Sequence, residues 1–401
     1  VERKKVTKTS RNKIYTPIRR VNFKNVPDFG FIDTIKGNLA KLLIRAVFTS
    51  DDPEFYLRID QIANQFLHPN GINPDYLSHF MIVVHPDKTG ELYYGLLPIV
   101  VEIRAKKDIK KGQPVYASDI ADIRKMKFDG IPLVNNDRVI CLFKVGWKFV
   151  LFFDLGRESN PLDIEKMELT LGLKHKELAF HQFFELLESD AIFKKMLRDG
   201  WFPFIDLIPN NFNQLKDAYQ KGDKRKRINR ILNSYDADVL KPMMKRWWSL
   251  DAMKKKKAII ESGVNAYITG GKSNYILCIK TLISEIEGIV RFSLLGNSGL
   301  RKNASVQEQI KFVIEKEIEF TGSNNSLLIP ERFLEYLNEE VFKHFDVATN
   351  PDLSRHSVTH GAADSKKYTR ARALQVILTI DQLYFMIRSA LAQRDAQEVQ
   401  K

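Results

Sequence analysis

Cysteine is scarce in this chain: Cys141 and Cys278 are the only two in 401 residues, far apart and without CxxC spacing. Neither a disulfide framework nor a thiolate metal site is supported by that usage, and a reducing cytoplasm fits it best. Long apolar runs are missing too. No uninterrupted stretch approaches the roughly 18 to 20 apolar residues that span a bilayer, although 44% of the residues are hydrophobic. The opening Val1-Glu2-Arg3-Lys4-Lys5 has no apolar run behind it, so neither a secretory signal nor a membrane anchor is expected. A soluble, cytoplasmic protein without a membrane partner follows as the expectation. Gly-rich phosphate loops, internal repeats and clustered metal ligands are absent as well, so no cofactor is expected. Negative charge is in deficit: 49 Asp and Glu face 63 Lys and Arg, a formal charge of +14 and a pI near 9.4. Such a balance favours a polyanionic partner, nucleic acid first, although excess lysine can also serve solubility alone.

The length allows two or three domains. Residues 1–24 carry nine Lys and Arg against Glu2 alone and little apolar periodicity, which reads as a flexible basic arm. Residues 35–44 and 56–66 space their apolar side chains by three and four, predicting short helices. From His79 to Leu155 the texture turns β-branched and aromatic. Runs such as Phe80-Met81-Ile82-Val83-Val84, Leu96 to Ile103, Val139 to Phe143 and Lys148 to Phe153 are strand candidates, with a hairpin at Val145-Gly146-Trp147. An α+β region over 25–157 is therefore expected. Residues 158–250 read as a helical connecting region, with an aromatic core stripe at Phe180, Phe183, Phe184 and Leu187 and a break at Gly200-Trp201-Phe202-Pro203. Within it, Lys221 to Arg230 holds the densest positive charge of the chain. Lys224, Arg225, Lys226, Arg227 and Arg230 are candidates to grip RNA phosphates, against the plainer reading of a solvated helix face.

The last third predicts a series of helices: two separated by Gly270-Gly271, a third over Val306 to Phe320 with a turn at 322–325, a fourth from Pro330 through Phe345, and a long one from Thr369. Between the last two stands Asn350-Pro351-Asp352-Leu353-Ser354-Arg355-His356-Ser357-Val358-Thr359-His360-Gly361. Read by itself, it allows Arg355 to pair a carboxylate such as Asp352 and His360 to end a helix before Gly361. His356 and His360 are also at a zinc-compatible spacing, but no third ligand stands near them.

Arg355 to His360, with an apolar helix behind it and the Ile286-Glu287-Gly288 step upstream, resembles the Arg-x4-His motif of HEPN domains over about residues 251–395. The resemblance implies an all-α HEPN-like bundle following the α+β region. It further implies a metal-independent endoribonuclease of the toxin, abortive-infection or antiviral-defence kind, whose site forms where two subunits meet. Arg355 and His360 would be catalytic, with His356 orienting phosphate and Glu287 supporting them. A neutral-range imidazole suits the proton transfers of such a hydrolase, and a guanidinium suits phosphorane charge. RNA, a second copy of the chain, and an antitoxin or other regulatory partner are the expected partners. Positions five apart on a helix diverge by about 140°, so the pair needs a long arginine or a second copy to converge. Part of the family carries Tyr two residues after the His as a modification target; here that residue is Ala362. The rival expectations are a non-catalytic HEPN-like dimerisation or RNA-binding scaffold and, more distantly, a DNA-binding protein.

Overall fold

In the computed structural model the described residues are 19–22, 34–40, 47–73, 77–95, 97–145, 149–157, 160–294, 304–321, 326–343 and 353–399. The rest of the basic arm, residues 41–44 of the first predicted helix and the 322–325 turn lie outside them. The architecture is α+β, a small N-terminal sheet region followed by helices.

The first compact unit draws on Val1–Glu102 and Arg124–Ala179. Strands β1 (Arg19–Asn22), β2 (Val47–Thr49), β3 (His79–Val84), β4 (Thr89–Tyr94), β7 (Arg138–Val145) and β8 (Phe149–Leu155) form one antiparallel sheet in the order β1-β4-β3-β7-β8-β2. Register sets Ile82 opposite both Leu92 and Ile140, and Cys141 opposite both Met81 and Phe153. Successive strand residues face opposite ways. Phe80, Ile82, Val84, Ile140, Leu142 and Phe152 pack with Phe55 and Ile62 of helix α1 (Phe55–Ile62) and with Phe66 of the π-turn after it. Met81, Val83, Val139, Cys141, Phe143 and Phe153 pack on the other side with Met126, Phe128 and, from α2 (Ile164–Ala179), Met167 and Leu171. Burial on both faces explains why these strands read as continuous apolar runs rather than alternating ones. Residues 35–40 of the predicted 35–44 helix form a turn and irregular chain instead, and they are exposed, so their apolar spacing meets no packing surface. Arg19–Asn22, assigned to the flexible arm, pairs with β4.

Strands β5 (Ile99–Ala105) and β6 (Ile120–Phe128) form a separate two-stranded sheet, and the chain passes into the second unit within β5 and out of it within β6. That second unit comprises Ile103–Ile123 and Phe180–Lys401. It contains α3 (His181–Glu188), α4 (Asp190–Arg198), α5 (Phe212–Gln220), α6 (Lys224–Ser234), α7 (Ala237–Trp247), α8 (Asp251–Lys255), α9 (Lys257–Thr269), α10 (Lys272–Leu294), α11 (Val306–Thr321), α12 (Pro330–Tyr336), α13 (Arg355–Thr359) and α14 (Arg370–Val399). Of residues 158–250, which the sequence sets apart as a connecting region, 180–250 thus group with the C-terminal helices, whereas α2 belongs to the first unit. The helix from Pro330 tightens into a π-turn over Leu337–Val341, short of Phe345.

Helix α14 is the axis of this unit. Leu374, Ile377, Leu378, Ile380, Leu383, Met386 and Ile387 are all buried, which leaves no polar face over this stretch. Two of its buried glutamines tie it to the chain around it: Gln382 Oε1 accepts from Ile205 N (2.8 Å), its Nε2 donates to Leu328 O (2.8 Å), and Gln375 Nε2 donates to Asp199 O (3.0 Å). Arg370–Leu391 is the one helix among the described residues long and apolar enough to cross a membrane, and 89% of that stretch is buried inside the protein.

Candidate functional site

The motif forms its own short helix for local reasons. Ser354 caps α13: its Oγ accepts from Ser357 N (3.3 Å), while Ser357 Oγ accepts from Ser354 N (2.9 Å), closing a reciprocal box. At the other end His360 is the cap residue and Gly361 takes φ 70°, the left-handed turn that glycine enters without Cβ strain. Ala362 N then donates to Ser357 O (2.8 Å), closing the last turn. The helix is only five residues long. Arg355 opens it, half-buried, and His360 ends it, exposed. His356, half-buried, points from the same first turn, and its carbonyl accepts from His360 N at 3.1 Å. A rise of five residues is about 7.5 Å, so Arg355 and His360 leave from opposite ends of the helix.

Tertiary packing supplies the rest. Glu287 of α10 forms an ion pair with Arg355 through Oε2, and its Oε1 accepts from Arg291 Nη2 at 2.9 Å. Glu287 therefore stands between two guanidiniums. The Ile286-Glu287-Gly288 step acquires a structural meaning: Ile286 is buried in the core, Glu287 faces the motif, and at Gly288 a Cβ would come within 2.9 Å of Lys256 Nζ, which is ion-paired to Glu285. Entry into α13 is fixed by Arg372, in the first turn of α14. Its Nη2 donates to Leu353 O (2.8 Å) and Glu340 O (2.7 Å), and its Nη1 meets Glu340 Oε2 at 3.2 Å. Arg291 and Arg372 were not singled out in the sequence. The i, i+4 spacing of Glu287 and Arg291 was a readable signal, whereas nothing local marks Arg372.

The basic segment forms α6. A depression of about 540 Å³ on it is lined by Asp223, Lys224, Arg225, Lys226, Asn229, Arg230 and Asn233, and it includes neither Arg355 nor His360. Four of the five proposed phosphate-gripping residues line it. Arg227 does not: its Nη1 lies 3.2 Å from Asp217 Oδ2. Lys224 is ion-paired with Asp199 and lies 4.9 Å from the Tyr219 ring centroid. No group of three or more His, Cys, Asp and Glu side chains gathers to hold a metal among the described residues.

Comparison with known protein families, with curated proteins and with solved structures finds no match to this chain.

Proposed function

We propose that the C-terminal helical unit is a HEPN-like, metal-independent endoribonuclease acting through Arg355 and His360, in an abortive-infection or toxin setting. The observation that supports this most is the Glu287–Arg355 ion pair, which brings a helix far away in sequence to the motif and holds the guanidinium at the start of a helix that His360 ends. A guanidinium anchored in this way offers its remaining N–H donors to phosphate oxygens in a fixed direction. His360, exposed at the end of α13, would take the 2′-hydroxyl proton as that oxygen attacks the adjacent phosphorus. The P–O5′ bond breaks and the departing 5′-oxygen takes a proton from water, leaving a 2′,3′-cyclic phosphate and a 5′-hydroxyl, and Arg355 carries the charge built up on the phosphorane. His356 would orient the phosphate. Because Arg355 and His360 leave opposite ends of α13, a second copy completing the site is part of the proposal, as is a partner that restrains the activity.

A second reading has an observation of its own. Glu287 already neutralises Arg355, which suits a non-catalytic HEPN-like dimerisation or RNA-binding scaffold as well. The two readings part in one experiment. Wild-type protein, Arg355→Ala and His360→Ala are incubated with total RNA in EDTA, and fragment ends are analysed. Cyclic-phosphate ends from wild type, reduced roughly 100-fold or more in His360→Ala and Arg355→Ala, are expected. RNA left intact by wild type, or cut equally by all three proteins, would favour the scaffold.

A further inference from the structure

Several cations of the helical unit have a carboxylate beside them. Lys221 and Arg227 pair with Asp217, Lys257 with Glu261, Lys316 with Glu319, and Arg332 with Glu335. Helix α6 carries both kinds, Lys224 and Arg227 being ion-paired. Arg225, Lys226 and Arg230 are exposed, and no ion pair or hydrogen bond engages their side chains among the described residues. Lys226, Asn229, Arg230 and Asn233 stand at i, i+3, i+4 and i+7, a single stripe along the helix. Asn233, exposed, accepts from Arg370 Nη1 at 2.8 Å through Oδ1, which leaves its amide NH2 as the donor. The same arginine donates from Nη2 to Leu232 O (2.9 Å), fixing the end of α6 to the first turn of α14. Together with Arg225 beside it, the stripe consequently presents donors, three of them charged, along a depression large enough for more than a phosphate group.

We infer that this face of α6 is the docking track for single-stranded RNA, with Lys226 and Arg230 on consecutive phosphates, Arg225 beside them on the same backbone, and Asn229 and Asn233 on base or ribose edges. This assignment of substrate class rests on the proposed ribonuclease reading. Four helical residues rise about 6 Å, so Lys226 and Arg230 are spaced on the scale of one nucleotide step. Amide side chains read Watson–Crick edges only where bases are unpaired. Cleavage by the neighbouring 2′-hydroxyl also needs a strand free to bring that oxygen in line behind phosphorus, which a stacked duplex prevents. Arg227, turned to Asp217, stabilises the helix and takes no part in the track.

The test is binding of the full chain, carrying His360→Ala so that the RNA stays intact, to a labelled unstructured RNA across a salt series. Against it stand the Arg225→Ala/Lys226→Ala/Arg230→Ala variant and a charge-retaining Arg225→Lys/Arg230→Lys variant. Thermal unfolding of each confirms that the helix is retained. The alanine variant is expected to bind roughly tenfold or more weakly, with the slope of log K against log salt reduced by about 2, three contacts at about 0.7 each. The lysine variant should keep the slope. An unchanged affinity and slope in the alanine variant, no RNA binding by the parent, or equal affinity for duplex DNA would each overturn the inference. Cleavage is read separately with native His360. Cutting by wild type with unaltered KM in the alanine variant sinks the track alone, whereas α6-dependent binding without any cutting sinks the ribonuclease alone.

Discussion

Charge on single residues decides how the motif can work. Glu287 receives Arg291 on one oxygen and Arg355 on the other, so it orients Arg355 and also cancels part of its field. Glu287→Gln should therefore separate two effects in the proposed reaction. The positive field at Arg355 grows and KM for RNA falls a few-fold, while the guanidinium loses its anchor and kcat falls further; steady-state kinetics on one RNA reads both, and parallel changes would argue against this dual role. A second titratable residue lies elsewhere in the helical unit. Lys106 is buried, and desolvation lowers its pKa from 10.5 to about 8 despite Asp206 nearby; its ammonium donates to Ile205 O (2.6 Å) and to Ile208 O. Between about pH 8 and 10.5 the unfolded chain holds this proton more tightly than the folded one, so this residue's contribution to stability rises with pH across that window and is flat below it. The full increment is about 3 kcal/mol, at roughly 1.4 kcal/mol per pH unit. Denaturant unfolding at pH 7.5 and 9.5 should show wild type gaining on Lys106→Met, and identical pH dependence in both would refute the assignment.

Elements here form for different reasons. Helix α13 is specified locally: Ser354 and Ser357 close its start and Gly361 its end, so Ser354→Ala should cost about 1 kcal/mol in chemical unfolding. If the proposed ribonuclease reading holds, the same change should lower RNA cleavage at temperatures well below unfolding, because it loosens the turn that carries Arg355. Helices α9, α10, α11 and α14 were legible from apolar spacing and from the Gly270-Gly271 break, since helical periodicity survives wherever one stripe is buried. Strands β3, β7 and β8 were legible as apolar runs. Strands β4 and β6 were not: Thr89-Gly90-Glu91 and Arg124-Lys125 dilute their apolar pattern, and their neighbours in the sheets establish them as strands. The 35–40 segment shows the converse, an apolar spacing that no partner surface uses.

At the scale of the whole molecule, the chain is not divided where its texture changes. The stretch Ile103–Ile123 leaves the sheet unit and belongs to the helical one, where Arg104 Nη1 meets the buried Glu317 at 3.0 Å and Leu327 N donates to Asp122 Oδ1 at 3.3 Å. A buried network supports the same region: Arg246 binds Asp206 (2.9 Å) and Asp381 (2.6 Å), and Trp247 Nε1 donates to Asp381 Oδ1 (2.7 Å). Burial lifts the Asp381 carboxyl above its usual range while Arg246 opposes that shift, so removing the arginine strands a buried acid. Arg104→Ala and Arg246→Ala are each expected to lose roughly 3 to 5 kcal/mol in unfolding measurements, far beyond a surface pair. A loss under 1 kcal/mol for either would show that the inserted stretch is not held by these charges. The sequence by itself determined the α+β class, the basic balance, most helices, and a candidate catalytic pair within one short segment, because periodicity, charge and capping are properties of neighbours along the chain. Only the tertiary structure decided that Glu287 meets Arg355, that Arg372 holds the entry to α13, that Arg227 is turned away from the α6 stripe, and that residues 103–123 belong with the helices. Those are encounters between segments far apart in the chain, settled by which buried charges find partners and which apolar faces find cover.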